Sequence, residues 1–443
     1  MQRVLVLDKN KQPLMPCHPA RARELLKKGR AAVFRRFPFT IILQDREGGE
    51  VQETQFKVDP GAKTTGIALV AQFQRGQRVI WAAELTHRGR KIKDNLLSRR
   101  QLRRGRRSRK TRYRPPRFDN RCRPAGWLPP SLQSRVDNIL TWLVRLYRFA
   151  PITHLALELV RFDTQKLQNP EISGVEYQQG ELLGYEVREY LLEKWGRKCA
   201  YCGAKNVPLE VEHIVPKIRG GSNRVSNLTL ACTPCNQKKG SQTAAEFGFP
   251  NIQAQAKKPL GDAAAVNATR WTLWRELNAS GLPLAVGTGG RTKYNRSRQG
   301  YPKTHWLDAV CVGESGAEVF VPQTLQALAI KAMGRGSRQM CRVDKFGFPR
   351  TKAKQFKRVQ GFQTGDIVKA IVPKGKNEGT HVGRVAVRAS GSFNIRTNQE
   401  TVQGIGYKYC QLTQRIDGYA YSFGSPVDSS PRINKLHRLP PHV

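Results

Sequence analysis

Residues 54–72, TQFKVDPGAKTTGIALVAQ, alternate polar and apolar positions as two strands around a Pro-Gly turn, and Asp59 ends the first strand where the turn begins. Alone, Asp59 reads as a turn aspartate. A further strand follows at VIWAAEL (79–85). Two more distant stretches carry acids in less ordinary places. Glu158 sits inside the apolar strand ITHLALELV (152–160), where a carboxylate is costly to bury unless it is paired or holds a cation. His305 and Asp308 in THWLDAV (304–310) stand three residues apart, so they share one helix face near its first turn, with Thr304 placed to cap it.

Composition states what surrounds these acids. The chain has 443 residues, 77 Lys and Arg against 33 Asp and Glu, and a formal charge of +44. That imbalance exceeds what solubility requires and calls for a polyanionic partner, nucleic acid first. No run approaches the ~18 apolar residues of a membrane span, and MQRVLVLDKN lacks a signal peptide's apolar core, so the expectation is no membrane partner and a cytoplasmic, nucleoid-associated prokaryotic protein. The length suits roughly three domains at ~150 residues each.

The basic charge is concentrated. Arg88 to Arg114 hold fourteen Lys or Arg and one acid, Asp94. Leu96, Leu97 and Leu102 punctuate the run, and only Gly105 interrupts it, at a helix cost of ~1 kcal/mol. A helix with Arg99, Arg100, Arg103, Arg104, Arg106, Arg107, Arg109, Lys110 and Arg112 on all sides packs poorly against protein and well against phosphates, which take guanidinium forks. Before it, the first fifty residues read as strand (VLVLD), turn (KQPLMPCHP), amphipathic helix (ARARELLKKGR) and strand (AAVFRRFPFTIIL). After it, SLQSRVDNILTWLVRLYRF is an amphipathic helix with Val136, Ile139, Leu140, Leu143 and Leu146 at helical spacing, and GELLGYEVREYLLEKWGR a second. The last hundred residues, with GDIVKAIV, HVGRVAVRA, GSFNIRT, YKYCQLT and YAYSFG between Gly-rich turns, read as a small β-barrel or sheet.

Nine cysteines include two CxxC pairs, Cys199/Cys202 and Cys232/Cys235, with 29 residues between the pairs. Two tight turns supplying two thiolates each make a closed tetrahedral Zn2+ site, which leaves no open position and is therefore structural. Cys17, Cys122, Cys311, Cys341 and Cys410 are scattered and read as ordinary buried thiols. Chemistry in this module falls to what lies between and beside the pairs: VEHIVP, SNLTLAC and CNQKKG.

That set resembles the HNH (ββα-metal) nucleases. The resemblance implies that His213 is the general base, Glu212 and Asn236 hold one Mg2+, and Asn227 orients the histidine; many HNH sequences have Asp where this chain has Glu212. The earlier acids resemble the three-part RuvC-like nuclease, an RNase H fold, through DPGAKTTG, HLALELV and HWLDAV. By that resemblance Asp59, Glu158 and Asp308 hold two Mg2+ ions and His305 positions water. The basic run between the first two RuvC segments and the HNH module before the third resemble RNA-guided effectors with an arginine-rich bridge helix. QPLMPCHPARA contains the Pro-Leu-Met-Pro sequence of the PLMP domain, and the whole order resembles the IscB family of transposon-encoded RNA-guided endonucleases.

The expected fold is α/β multidomain: an RNase H-like RuvC core assembled from three segments, an inserted zinc-stabilised HNH domain, a small N-terminal PLMP domain and a C-terminal β-rich domain. The boundaries are 1–54 for PLMP, 55–87 for RuvC I, 88–116 for the bridge helix, 117–180 for RuvC II, 181–248 for HNH, 249–332 for RuvC III and 333–443 for the C-terminal domain. The last would meet a short target-adjacent motif, with Arg335, Arg338, Arg342, Lys345, Arg350 and Lys352 leading in. The implied partners are a structured guide RNA and double-stranded target DNA, in a monomeric ribonucleoprotein that cuts both strands. A protein-guided nuclease, of junction resolvase or homing endonuclease type, is the rival, since either nuclease set fits it singly. A non-enzymatic RNA chaperone would account for the charge but not for the assembled site residues.

Overall fold

The computed structural model describes residues 2–108, 124, 126–159, 188, 190–192, 194–257, 263–334, 341, 344–346, 348–352, 356–397 and 399–424. It is a mixed α/β chain that divides into two units. The first draws on residues 2–56, 63–153 and 320–424, the second on 57–62 and 154–319.

In the first unit, β1 (Val4–Leu7), β2 (Pro13–Cys17), β3 (Ala31–Arg35) and β4 (Thr40–Leu43) form a sheet in the order β2-β1-β4-β3. The KQPLMPCHP segment, expected as a turn, instead supplies β2, pairing Leu7 with Pro13 and Val6 with Leu14. Its prolines are tolerated because β2 is an edge strand, where a missing N–H breaks no inner ladder. The helix Pro19–Lys27 follows, with His18 Nδ1 accepting from Ala20 N at 3.2 Å, and its Ala22 and Leu25 close a core of Val4, Val6, Leu14, Ile41 and Leu43. The long strand expected over AAVFRRFPFTIIL is two strands, β3 and β4.

A second sheet in this unit carries the hairpin β6 (Thr64–Phe73) and β7 (Gly76–Thr86), then β12 (Leu328–Ala332) parallel to β7 and β20 (Tyr419–Phe423) antiparallel to β12. The helix Pro130–Tyr147 buries Val136, Ile139, Trp142, Leu143 and Leu146; Leu140, expected in that row, is only half-buried. Trp142 completes the stripe by stacking on Trp81 at 6.0 Å and 19°, an aromatic contact worth ~0.5–1.5 kcal/mol beyond its area. YAYSFG does not join the C-terminal sheet as expected. Its Tyr419 and Tyr421 pack edge-on against Trp142, at 5.6 and 6.0 Å, and this aromatic seat draws β20 to β12. The remaining C-terminal strands are a short hairpin, β13 (Arg358–Val359) and β14 (Phe362–Gln363), and the antiparallel sheet β18-β17-β16-β15-β19. Here β15 is Ile367–Val372, β16 Gly379–Ala386, β17 Ser392–Arg396, β18 Thr401–Gly406 and β19 Cys410–Gln414.

The second unit takes the end of β5 (Thr54–Asp59), from Lys57 onward, with β8 (His154–Glu158) and β11 (Leu284–Gly287) in the order β11-β8-β5. β8 and β11 run parallel, pairing Leu155 with Leu284 and Glu158 with Gly287. A Cβ on Gly287 would lie 2.5 Å from Gly313 N, so glycine alone lets β11 end against that backbone. Thr288 and Thr304 then cap the helices Gly289–Arg298 and His305–Val310. In the cysteine module β9 (Leu209–His213) and β10 (Leu228–Cys232) form an antiparallel hairpin that feeds the helix Thr233–Lys239. Its core holds Leu191, Trp195, Tyr201, Ile214, Leu230 and Ile252. Among the described residues no helix is long and apolar enough to cross a membrane.

Candidate functional site

Asp59 and Glu158 stand at the C-terminal ends of β5 and β8, His305 opens its helix, and Asp308 lies one turn on. The four line one cavity of about 180 Å³. Asp59 and Glu158 are 9% and 8% exposed, so each carboxylate is largely stripped of water. Burial, then the neighbouring Glu158 and Asp308, lifts Asp59 well above the usual carboxylate range. Burial lifts Glu158 as well, against the opposing pull of Arg270, and lifts Asp308 against that of Arg296. Three carboxyls that burial forces toward their neutral form in one cavity are a set of hard oxygen donors that a divalent cation bound directly to them would ionise; Asp59, Glu158 and Asp308 fit such a group.

Sequence reading missed the basic residues that meet these acids. Arg270 Nη2 lies 3.4 Å from Glu158 Oε1 and also donates to Pro60 O at 3.2 Å, while Arg296 Nε lies 2.7 Å from Asp308 Oδ1. It also missed Lys57, which is fully buried and donates to Val310 O and Val312 O at 3.1 and 3.2 Å, tying Asp59's strand to the helix of His305 and Asp308. Burial brings the Lys57 ammonium down to about 7. Lys57 falls on a polar position of the alternation, so the pattern gave no sign of its burial.

In the cysteine module the sulfurs of Cys199, Cys202, Cys232 and Cys235 all lie within 4.8 Å of one another, with Cys202 and Cys232 3.6 Å apart. Burial alone would push the Cys199 thiol up, yet the N–H groups of Cys232, Cys202 and Tyr201 hold it at about 7, whereas burial and the neighbouring thiols push Cys235 up to about 12. Four soft donors, unable to ionise together without a cation, fit Zn2+.

The residues on β9 divide differently from the expectation. Glu212 is buried with both oxygens occupied: Oε1 lies 2.6 Å from the ammonium of Lys239, itself fully buried, and Oε2 accepts from Tyr201 OH at 2.6 Å. Asn236 instead donates to Glu210 Oε2 at 2.6 Å, and Thr233 donates to Glu210 Oε1 at 2.9 Å. Those bonds, Asn236's first, hold the Glu210 carboxyl below its usual range. His213 is partly exposed, with Nε2 2.9 Å from Asn223 Oδ1, and its carbonyl accepts from Lys239 at 2.9 Å. Asn227 does not reach the ring: its side chain bonds Val215 N, Val215 O and Ser222 O, each at 3.0 Å, closing the loop that follows the histidine. Glu210, Tyr201, Asn223 and Lys239 were missed, though alternation in LEVEH places Glu210 and Glu212 on one strand face.

The basic segment forms the helix Gly89–Ser108. Ile92, Leu96 and Leu102 are half-buried along one side, Leu97 is exposed, and Arg99, Arg100, Arg103 and Arg104 stand in solvent. The side chains of Arg106 and Arg107, and all of Arg109, Lys110 and Arg112, lie outside the described residues, as do Arg335, Arg338 and Arg342; Lys345, Arg350 and Lys352 are exposed.

Two family models match the chain. Residues 199–242 match the HNH endonuclease family. Residues 4–180 match the RRXRR protein family. Among solved structures, Streptococcus thermophilus Cas9 in complex with the AGAA PAM is 11% identical at TM-score 0.21, over 58% of this chain and 32% of that one. The same protein with the GGAA PAM gives 11% and 0.20 over the same shares. The chain thus spans about a third of the length of those proteins. No curated protein matches the chain. The HNH match, together with a histidine beside a four-cysteine cluster, supports a nuclease.

Proposed function

We propose that this protein is an RNA-guided DNA endonuclease of the IscB type, with two cutting centres. The observation that carries the reading is that Asp59, Glu158, His305 and Asp308, from three separate stretches of a chain that also matches the HNH family, line one cavity. The exposed arginines of the helix Gly89–Ser108 and the net charge of +44 support a large RNA partner, whose base pairing would choose the target. The HNH centre would cut the guide-paired strand and the carboxylate cavity the displaced one. The C-terminal domain would meet the target-adjacent motif.

In the HNH centre Asn223 Oδ1 would accept a hydrogen bond from His213 Nε2–H, keeping the proton on Nε2 and leaving Nδ1 with the lone pair that takes a proton from water. Lys239, bonded to both Glu212 and the His213 carbonyl, would fix the histidine's backbone. In the cavity, Asp59, Glu158 and Asp308 would hold Mg2+, which when bound stabilises charge developing on the phosphate oxygens, while His305 would position water. Zn2+ on the four cysteines would hold the HNH module together.

The test is to purify the protein from its native locus. The expected result is one abundant RNA of defined ends, without which duplex DNA is not cleaved. Site-specific cleavage by RNA-free protein would overturn RNA guidance in favour of a protein-guided nuclease.

A further inference from the structure

The carboxylate cavity is lined by more basic than acidic side chains. Against Asp59, Glu158 and Asp308 it presents Arg197, Arg270, Lys293, Arg296 and Lys303. Of these, Arg270 and Arg296 lie against Glu158 and Asp308 themselves, where they compete with a metal for the same oxygens and so would serve no purpose in an acid set built only to hold cations. An excess of this size suits a site that must also receive a phosphodiester.

How the two buried arginines meet the acids points the same way. A guanidinium well fitted to a carboxylate frequently makes two parallel N–H···O bonds in a fork. Neither pair here does so. Arg270 reaches Glu158 through one nitrogen at 3.4 Å and spends its better contacts, 3.2 and 3.3 Å, on the Pro60 carbonyl. Arg296 Nε is 2.7 Å from Asp308 Oδ1 but misaligned, and this buried N–H has no hydrogen-bond partner among the described residues. Both side chains are only 11–13% exposed, so each contact is close, dry and poorly fitted. A buried donor without a partner is costly, and a ligand oxygen would relieve that cost.

We propose that Arg270 and Arg296 are exchangeable counter-charges: they hold Glu158 and Asp308 while the cavity lacks a divalent cation, and bind the phosphate of the strand to be cut once the carboxylates are taken by one. The inference rests on reading the cavity as a nuclease centre and adds the residues that recognise its substrate.

The test pairs metal binding with cleavage, using the purified ribonucleoprotein. Mn2+ binding is followed by its electron paramagnetic resonance, and nicking of each strand by separate end labels in Mg2+. Removing a competing guanidinium should tighten Mn2+ binding several-fold in Arg296→Gln and Arg270→Gln. Nicking at the cavity's strand should nonetheless fall about 10²-fold or more, as for loss of a preorganised donor. The His213-dependent nick should be unchanged, and Arg296→Lys should recover part of the rate. Weaker metal binding together with slower nicking would mean that the arginines merely hold the cavity together, and tighter metal binding with undiminished nicking would mean that they never touch phosphate; either overturns the proposal. If instead Asp59→Asn alters neither Mn2+ binding nor either nick, the nuclease reading itself fails.

Discussion

The two centres are built in opposite ways. The HNH-matching module assembles from neighbours: its cysteines, Glu210, Glu212, His213, Asn223, Asn227, Asn236 and Lys239 all fall within residues 199–242. The cavity assembles from strangers, taking Asp59, Glu158 and Asp308 from strand ends and a helix far apart in the chain. In the local module the buried carboxylate of Glu212 has both oxygens occupied, by the Lys239 ammonium and by the Tyr201 hydroxyl. In the cavity Asp59 is buried against two other acids, and the arginines nearby fit poorly. The first is a hydrogen-bonded scaffold that presents one histidine; the second is a cavity in which buried acids and arginines face one another.

The sharpest break between them should come from the thiolates. Structural Zn2+ is worth ~10 kcal/mol or more of folding free energy in small modules, so Cys199→Ser or Cys232→Ser should unfold residues 199–242 while leaving the cavity's nick. Metal analysis should find about one Zn per chain in the wild type. Fully active protein without zinc would remove the scaffold reading.

Next in size is the division of strands. His213→Ala should slow one nick by ~10²–10⁴-fold and leave the other, because general-base catalysis contributes about that much. Asp59→Ala should do the converse. With differently labelled strands in Mg2+, loss of both nicks in either variant with normal binding would show that the centres do not act separately.

A third measurement sets the two acids of β9 against each other. Glu212→Gln strands the buried Lys239 ammonium and should cost ~3–5 kcal/mol in denaturant unfolding, partly restored by adding Lys239→Met. Glu210→Gln replaces one acceptor oxygen of a more exposed side chain and should cost clearly less. Equal costs would mean that Glu212 is not committed to the scaffold.

The smallest effect concerns pH without metal. Asp59 is raised, so the folded chain keeps its proton where the unfolded chain has released it. Its contribution to stability therefore declines as pH rises from ~4 through the raised folded value. In chelator at pH 8, Asp59→Asn should melt a few °C higher than the wild type, on the order of the 2–4 °C expected per kcal/mol. Mg2+ should stabilise the wild type more than the variant. A lower melting point for Asp59→Asn would mean that the aspartate is not frustrated in the empty cavity.

What the sequence determined by itself is what spacing can encode. Two CxxC pairs bring four sulfurs together because each tight turn fixes two, and the basic run builds a helix whose Arg99, Arg100, Arg103 and Arg104 stand in solvent. Alternation and helical periodicity likewise foretold β6, β7 and the helix Pro130–Tyr147. Partner choice lay beyond it. The prolines of PLMP could be a turn or an edge strand, and only the neighbouring β1 decides. YAYSFG could have closed the C-terminal sheet, but Trp142 offers its tyrosines a better seat beside β12. Glu210 and Glu212 share a strand face, so choosing which one meets Asn236 and which is held by Lys239 required the packed helix Thr233–Lys239. Arg270 and Arg296 were unreadable for the same reason: a basic residue in a helix is a solvated charge until tertiary structure turns it inward against a buried acid, where low dielectric makes the meeting count.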